Sequence, residues 1–427
     1  MRALHAEERI FARCAWRLIP FLSLLFLLNY LDRVNVGFAA LTMNRDLGFT
    51  PSVFGFGAGL LFFSFFLFAI PSAVLAEHFG ARWWLCGTLF VWGLLSAATA
   101  FVRGPAEFYS ARFMLGASEA GFLPGIVYYL TLWFPPSQRA GFMAMFLIAG
   151  PLSFILGGPL SGVILTLGPF AGVKGWQWLF LIEGLPTVVL AMAVPMMLPN
   201  SPAQAKWLPE GDKLRLAEIL RRENVEEHRN LLRALRDMRV LLLGLVTFGI
   251  LFGIYGTGLW LPQIVHDMGF SALLTGFVVA LPYVATIAVM IWWGKSSDRK
   301  GERIRHTGLP LLLAATACAF AAYARQDAVS LLGLSVAVMA LYSTLSPLSS
   351  IPLTIFGGPA AAGAMALLFA ISSLGAFLGP TIIGALRQES GDYSSSMLAL
   401  ALVLAAAGVL VLAIGRAMAR KAVAASS

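Results

Sequence analysis

Residues 18–43 read LIPFLSLLFLLNYLDRVNVGFAALTM, and two opposite charges, Asp32 and Arg33, sit side by side in the middle of this apolar run. A second run, YSARFMLGASEAGFLPGIVYYLTLWF at 109–134, carries Arg112 and Glu119 in the same way. Both runs are long enough to cross ~30 Å of hydrocarbon. Ionised groups there are costly and rare, and they usually face a polar interior where ions or substrates move. The pattern predicts a membrane transporter with these four residues as its working parts. The bland alternative is that the charges are compensated ion pairs that only fix helix packing.

Composition agrees with a membrane protein. The chain has 427 residues, 59% hydrophobic and 12% charged, with mean hydropathy +0.81, whereas soluble domains carry about 25% charged residues. Twelve apolar stretches are expected near 18–43, 52–76, 83–102, 105–134, 138–167, 176–198, 240–266, 272–294, 306–324, 328–356, 360–386 and 394–415; they are called spans 1 to 12. This predicts an all-α membrane protein. No cleavage-site pattern follows the first apolar run, so span 1 is expected to be retained rather than removed as a signal peptide.

An even number of spans puts both termini on one side. Of the 30 Lys and Arg residues, 23 fall on the termini and the even-numbered connections. The excess of positive charge predicts that this side is cytoplasmic, and the expected location is the cell inner (plasma) membrane. It also explains the net charge of +9 without nucleic acid. Cys14, Cys86 and Cys318 are scattered, with no metal spacing and no disulfide framework. No phosphate-binding glycine loop, metal-ligand cluster or nucleophile–base set is present, so neither a metal nor a cofactor is expected, and an enzyme is disfavoured. His266 and His306 fall at loop ends and are expected to be solvated.

The halves are related. EHFGAR at 77–82 matches DRKGER at 298–303, and Gly158-Pro159 matches Gly379-Pro380 at the same offset of 221. A six-plus-six duplication follows, with a substrate site between the halves. The expected organisation is a cytoplasmic N-terminus at 1–17, one bundle at 18–198, a cytoplasmic linker at 199–238, a second bundle at 239–418 and a tail at 419–427. In the linker, Leu214, Ala217 and Leu220 suggest one amphipathic helix at the membrane surface; a solvated connector is the favoured reading for most of it. At the repeat offset, Asp32, Arg33, Arg112 and Glu119 map to Gly253, Ile254, Gly333 and Ala340. The charged machinery therefore belongs to the amino-terminal half.

Within span 4, Arg112 and Glu119 are seven apart and share a helix face. In span 1, Asn29 and Arg33 are four apart, with Asp32 beside them and Tyr30 near enough to border a cavity. Arginine suits planar oxyanions because its fork of donors grips two oxygens. A carboxylate poised between the cost of burial and the attraction of an arginine can load and release a proton. Glu183 in span 6 remains open between a structural and a functional role. The turns holding Glu77 and Arg82, and Asp298, Arg299 and Arg303, read either as ordinary positive-inside turns or as a conformational latch.

The chain resembles the major facilitator superfamily, and within it the anion:cation symporter family of organic-anion permeases. The resemblance covers nearly the whole length and rests on NYLDRVNVGFA (29–39), ARFMLGASEAGFLPGIVYYLTLWFP (111–135), GWQWLFLIEGLP (175–186), YGTGLWLPQIV (255–265) and SDRKGER (297–303). It implies two pseudo-symmetric six-helix bundles, alternating access, and proton-driven uptake of a small organic anion, such as a sugar acid, tartrate or an aromatic carboxylate, by a monomer. Asp32 and Glu119 match the family's proton-coupling acids, Arg33 and Arg112 its basic cavity residues, and Tyr30 a cavity-lining tyrosine. The chain departs from the family at Ser349, where a Trp is usual, and at Phe369, where an Asn is usual. Ala73 also stands where the first cytoplasmic turn usually has its leading Gly. The exchange at 349 and 369 favours a more apolar or aromatic carboxylate over a highly hydroxylated one. An uncoupled facilitator or an exporter is the alternative.

Overall fold

The computed structural model describes residues 2–170, 172–223, 237–356 and 358–426. Residues 224–236 of the predicted linker thus lie outside the described residues. Among the described residues, eleven helices are long and apolar enough to cross a membrane. The remaining expected crossing is span 4, which forms as two helices, Pro105–Glu119 and Phe122–Thr131. The break follows from Pro124: it has no N–H to give to the carbonyl of Ala120, and its ring crowds that turn. Glu119 therefore sits at the last turn before a kink. Spans 5 and 10 are also interrupted, between Pro136–Phe146 and Ala149–Thr166 and between Asp327–Ser343 and Leu345–Phe356.

Local chemistry explains the ends. Thr50 caps Pro51–Phe79 by accepting from the N–H of Val53, with Pro51 at the first helical position. Ser271 caps Ala272–Lys300 in the same way through Leu274. The repeat-related turns both reverse on a glycine at positive φ, Gly80 at 80° and Gly301 at 61°, which a side chain would oppose. Glu302 then caps Ile304–Tyr323: its carboxylate accepts from the backbone of Arg305 at 2.7 Å and of His306 at 3.1 Å. His306 is not solvated as its loop-end position suggested. It is 6% exposed, packs on Trp293 and pairs its Nδ1 with Glu302 at 2.8 Å.

Helices Met238–Asp267 and Gly358–Ser390 (spans 7 and 11) pack within one half. Two pseudo-equivalent pairs join the halves, span 2 with span 11 and span 5 with span 8. Both joints rest on glycine, which lets backbones approach closely. A Cβ on Gly158 would lie 2.5 Å from the carbonyl of Gly276, and one on Gly55 would press against the backbone of Pro380 and Gly384. Asn44 donates to Gln263 at 3.3 Å, and the N–H of Ser52 donates to Gln388 at 3.2 Å. These contacts all lie at the end of the bundle away from the chain termini, so the halves are closed there.

Glu210–Glu223 is a helix docked on the start of span 1 through Arg13–Asp212 at 2.8 Å and Arg215–Glu7 at 3.1 Å. Its buried face is Leu216 and Leu220, whereas Leu214 points out at 74% exposure. The expected stripe was thus only partly right, because the N-terminal extension of span 1 dictates which face is covered.

Candidate functional site

Adjacent helical residues point about 100° apart, and the structure separates Asp32 from Arg33 accordingly. Asp32 turns into its own bundle. It accepts from Trp92 Nε1 at 2.7 Å, from Ser96 Oγ and from Asn35 Nδ2 at 3.0 Å. Trp92 and Ser96 are four apart on span 3, so one helix face supplies two donors. Asp32 is 2% exposed.

Arg33 turns toward the other bundle. Its Nε donates to Glu119 Oε2 at 3.0 Å, and its Nη1 reaches the hydroxyl of Tyr255, in span 7, at 3.4 Å. Asn29 Nδ2 donates to the same Glu119 oxygen at 3.0 Å. The guanidinium also lies over the rings of Phe65 at 4.8 Å and Tyr30 at 5.2 Å, where cation–π attraction adds to its hold. Glu119 is fully buried, and its Oε1 has no partner.

Arg112 is 1% exposed, and its Nε and Nη1 find no acceptor. The charges that reach it are those of Asp32, Glu119 and Arg33. Arg112 thus keeps two unpaired donors and Glu119, seven residues along the same span, one unpaired oxygen, polar atoms that a guest would satisfy. Buried polar groups are otherwise nearly always satisfied.

Aromatic rings surround this core across the bundle interface. Phe62 touches Tyr255 at 4.0 Å between centroids, Phe65 lies 6.2 Å from Phe369, and Phe154 stacks on Tyr283 at 4.0 Å and 1°. Phe369 thus stands one ring away from Arg33. Ser349 is in span 10, and its hydroxyl donates to the carbonyl of Ser346 at 2.8 Å. It offers lone pairs but no free donor.

The latch residues sit at the other end. Arg82 donates to the carbonyl of Pro195 and lies over Trp83. Arg303 pairs with Asp298 and also donates to Ser297 at 2.9 Å. These contacts of Arg82 and Arg303 stay within their own bundle. Glu77 and Arg299 are exposed.

Trp92, Ser96, Asn35, Phe65 and Tyr255 were not anticipated. Polar or aromatic residues within apolar spans were the available signal, but their partners lie up to 222 residues away.

Two six-helix bundles closed on glycines at one end, with buried charges at their interface, define a multi-pass membrane transporter rather than an enzyme. The Major Facilitator Superfamily model matches residues 22–358, and the chain belongs to that family. It is 40% identical to a putative tartrate transporter of Agrobacterium vitis over 96% of this chain and 95% of that one. It is 38% identical to the putative metabolite transport protein NicT of Pseudomonas putida, over 92% of this chain and 91% of the relative. A bacterial homologue of the human lysosomal transporter Spinster, solved in an inward-facing, occupied conformation, superposes with a TM-score of 0.77 at 17% identity, covering 93% of this chain and 96% of that one. The chain is a transporter of organic substrates.

Proposed function

We propose that the protein takes up a small organic anion, a carboxylate, together with protons by alternating access. The observation that carries this reading is Glu119, a fully buried acid bridged to Arg33 and Asn29 with one oxygen unpaired. A proton on Glu119 removes the charge that holds Arg33 and frees its fork. Arg33 and the unpaired donors of Arg112 then grip the substrate carboxylate, and Asp32 provides a second acid. Tyr30, Asn29, Ser349 and Phe369 border the anion. With the termini on the cytoplasmic side, the closed end faces outward, and the site opens inward. The bundles at 18–198 and 239–418 rock about it, and the turns at Glu77–Arg82 and Asp298–Arg303 pair across the bundles only when the inner end shuts. The names of the tartrate and metabolite transporters support an organic anion as cargo.

Proteoliposomes test the reading with radiolabelled tartrate and benzoate under an inward proton gradient. The wild type accumulates one or both. Glu119→Gln loses accumulation while keeping counterflow exchange. Normal accumulation by Glu119→Gln sinks the assignment. Wild-type transport indifferent to the gradient favours an uncoupled facilitator or exporter.

A further inference from the structure

Glu183 lies in span 6, 8% exposed. Neither of its carboxyl oxygens has a hydrogen-bond partner, and Asn35 Oδ1 has none either. Asp32 and Asn35, both on span 1, are the groups that reach it; the Asn35 amide N–H approaches Glu183 but is already committed to Asp32 at 3.0 Å and falls short of hydrogen-bond geometry with Glu183. Asp32 lives in the opposite environment, with donors from Trp92, Ser96 and Asn35.

The contrast decides which acid carries charge. A buried carboxylate with three donors is stable as an anion, while one with none pays several kcal/mol of uncompensated desolvation. Two neighbouring carboxyl groups in a dry interior also do not both ionise. We propose that Asp32 and Glu183 form an acid pair holding one proton, carried by Glu183 in this conformation, so that Glu183 is a proton-binding residue of the carrier. A protonated carboxyl supplies the donor that this cluster of orphaned acceptors lacks.

The elements packed against span 6 are consistent with this. Span 3 brings Trp92 and Ser96, both engaged on Asp32, and sets Gly93 against Gly184. Span 1 brings Asp32 and Asn35. The Arg112 charge reaches Asp32 from span 4, and no charge from span 5 reaches Glu183. If span 3 shifts and takes the Trp92 and Ser96 donors away from Asp32, the proton leaves the Glu183 O–H and binds the Asp32 carboxylate. One charge is lost on Asp32 and one appears on Glu183, so the pair's net charge is unchanged. That role in transport rests on the proton-coupled reading above; the protonation itself does not.

Infrared spectra of the purified full chain at neutral pH, in H₂O and D₂O, test the pair. The expected result is a protonated-carboxyl carbonyl band that shifts on deuteration, is missing in Glu183→Gln and persists, displaced, in Glu183→Asp. In Asp32→Asn this band disappears at a pH lower by about one unit or more, the mark of coupled sites. A wild-type spectrum identical to that of folded Glu183→Gln overturns the proposal, as does a band whose titration ignores Asp32→Asn. Gradient-driven uptake is read separately. A coupled band with gradient-independent uptake overturns the proton-symport reading alone, and coupled uptake without the band overturns the acid pair alone.

Discussion

Arg33 Nη1 and the Tyr255 hydroxyl stand 3.4 Å apart, one on span 1 and the other on span 7. Through this contact the half with the buried charges touches the half that, among the described residues, buries no Asp, Glu, Lys or Arg. The same guanidinium holds Glu119, so a change in charge at Glu119 is felt at the bundle interface.

Tyr255→Phe removes the hydroxyl and keeps the ring that packs on Phe62. A net hydrogen bond contributes about 1 kcal/mol, so the balance between conformations shifts about fivefold away from this one. Alkylation of a cysteine placed at Asn44 by a membrane-impermeant reagent reports the shift. An unchanged alkylation rate would show that the contact does not bias the equilibrium.

Arg112→Lys removes the two unpaired fork donors and keeps the charge. A bidentate, charge-assisted contact contributes about 1.5–3 kcal/mol, so affinity for the proposed anionic cargo falls about 10–150-fold. An ammonium cannot reproduce the planar fork. Equal affinity, measured by the anion concentration that protects the protein from thermal unfolding, leaves Arg112 with a structural role.

The glycine joint between spans 5 and 8 predicts a conformational lock. A side chain at Gly158 meets the carbonyl of Gly276 2.5 Å from its Cβ, and backbone cannot yield as a flexible side chain can. Gly158→Val therefore holds open the end away from the chain termini. Transport is lost, the cysteine at 44 becomes more reactive, and binding from that end survives. Ordinary transport by Gly158→Val shows that the helices can separate there at no cost.

Glu302 gives a pH prediction outside the membrane. Partial burial pushes its carboxyl up, but hydrogen bonds from the backbone of Arg305 and His306 and from the His306 ring outweigh that and hold it below the ordinary range. A depressed carboxyl contributes stability above its unfolded pKa, near 4.3, and that contribution is lost as pH falls through the lower folded value. Glu302→Gln should lose about 1 kcal/mol as a cap and remove this acid-sensitive increment. Melting curves of both proteins from pH 7 to about pH 3 check it: the difference holds above about pH 4.3 and shrinks below, and a difference that stays constant down to the acid end contradicts the idea.

Much of this was legible because apolar length and buried charge are local properties of the chain. Spans 1 and 4 announced themselves through Asp32, Arg33, Arg112 and Glu119, and the paired turns through Gly80 and Gly301. What each charge faces was not legible. Asp32 and Arg33 are consecutive, yet one belongs to span 3 and the other to spans 4 and 7, which only helix packing decides. His306 was misjudged for the same reason: Glu302 and Trp293 close over it from either side of a tight turn. The kink after Glu119 was available in Pro124, four residues downstream of the carbonyl it leaves unbonded.

Selectivity is where the site departs most from its family resemblance. Phe369 presents a ring 6.2 Å from Phe65, and Phe65 carries the Arg33 guanidinium on its face. Ser349 has already donated its hydroxyl to Ser346. The carboxy-terminal half thus sets a ring, Phe369, one ring away from Arg33 where the family has an amide, and Ser349 adds no free donor. A pocket with apolar walls and a few placed polar groups suits a carboxylate on an apolar or aromatic body. Competition against labelled substrate should rank benzoate or an alkyl monocarboxylate above tartrate or a hexonate. Phe369→Asn exchanges the ring for an amide. Lost ring contact is worth about 1–3 kcal/mol, so this variant should narrow the ranking by about 10–100-fold or reverse it. A wild type that prefers tartrate, with Phe369→Asn leaving the order untouched, would mean that Phe369 only packs its helix against Phe65.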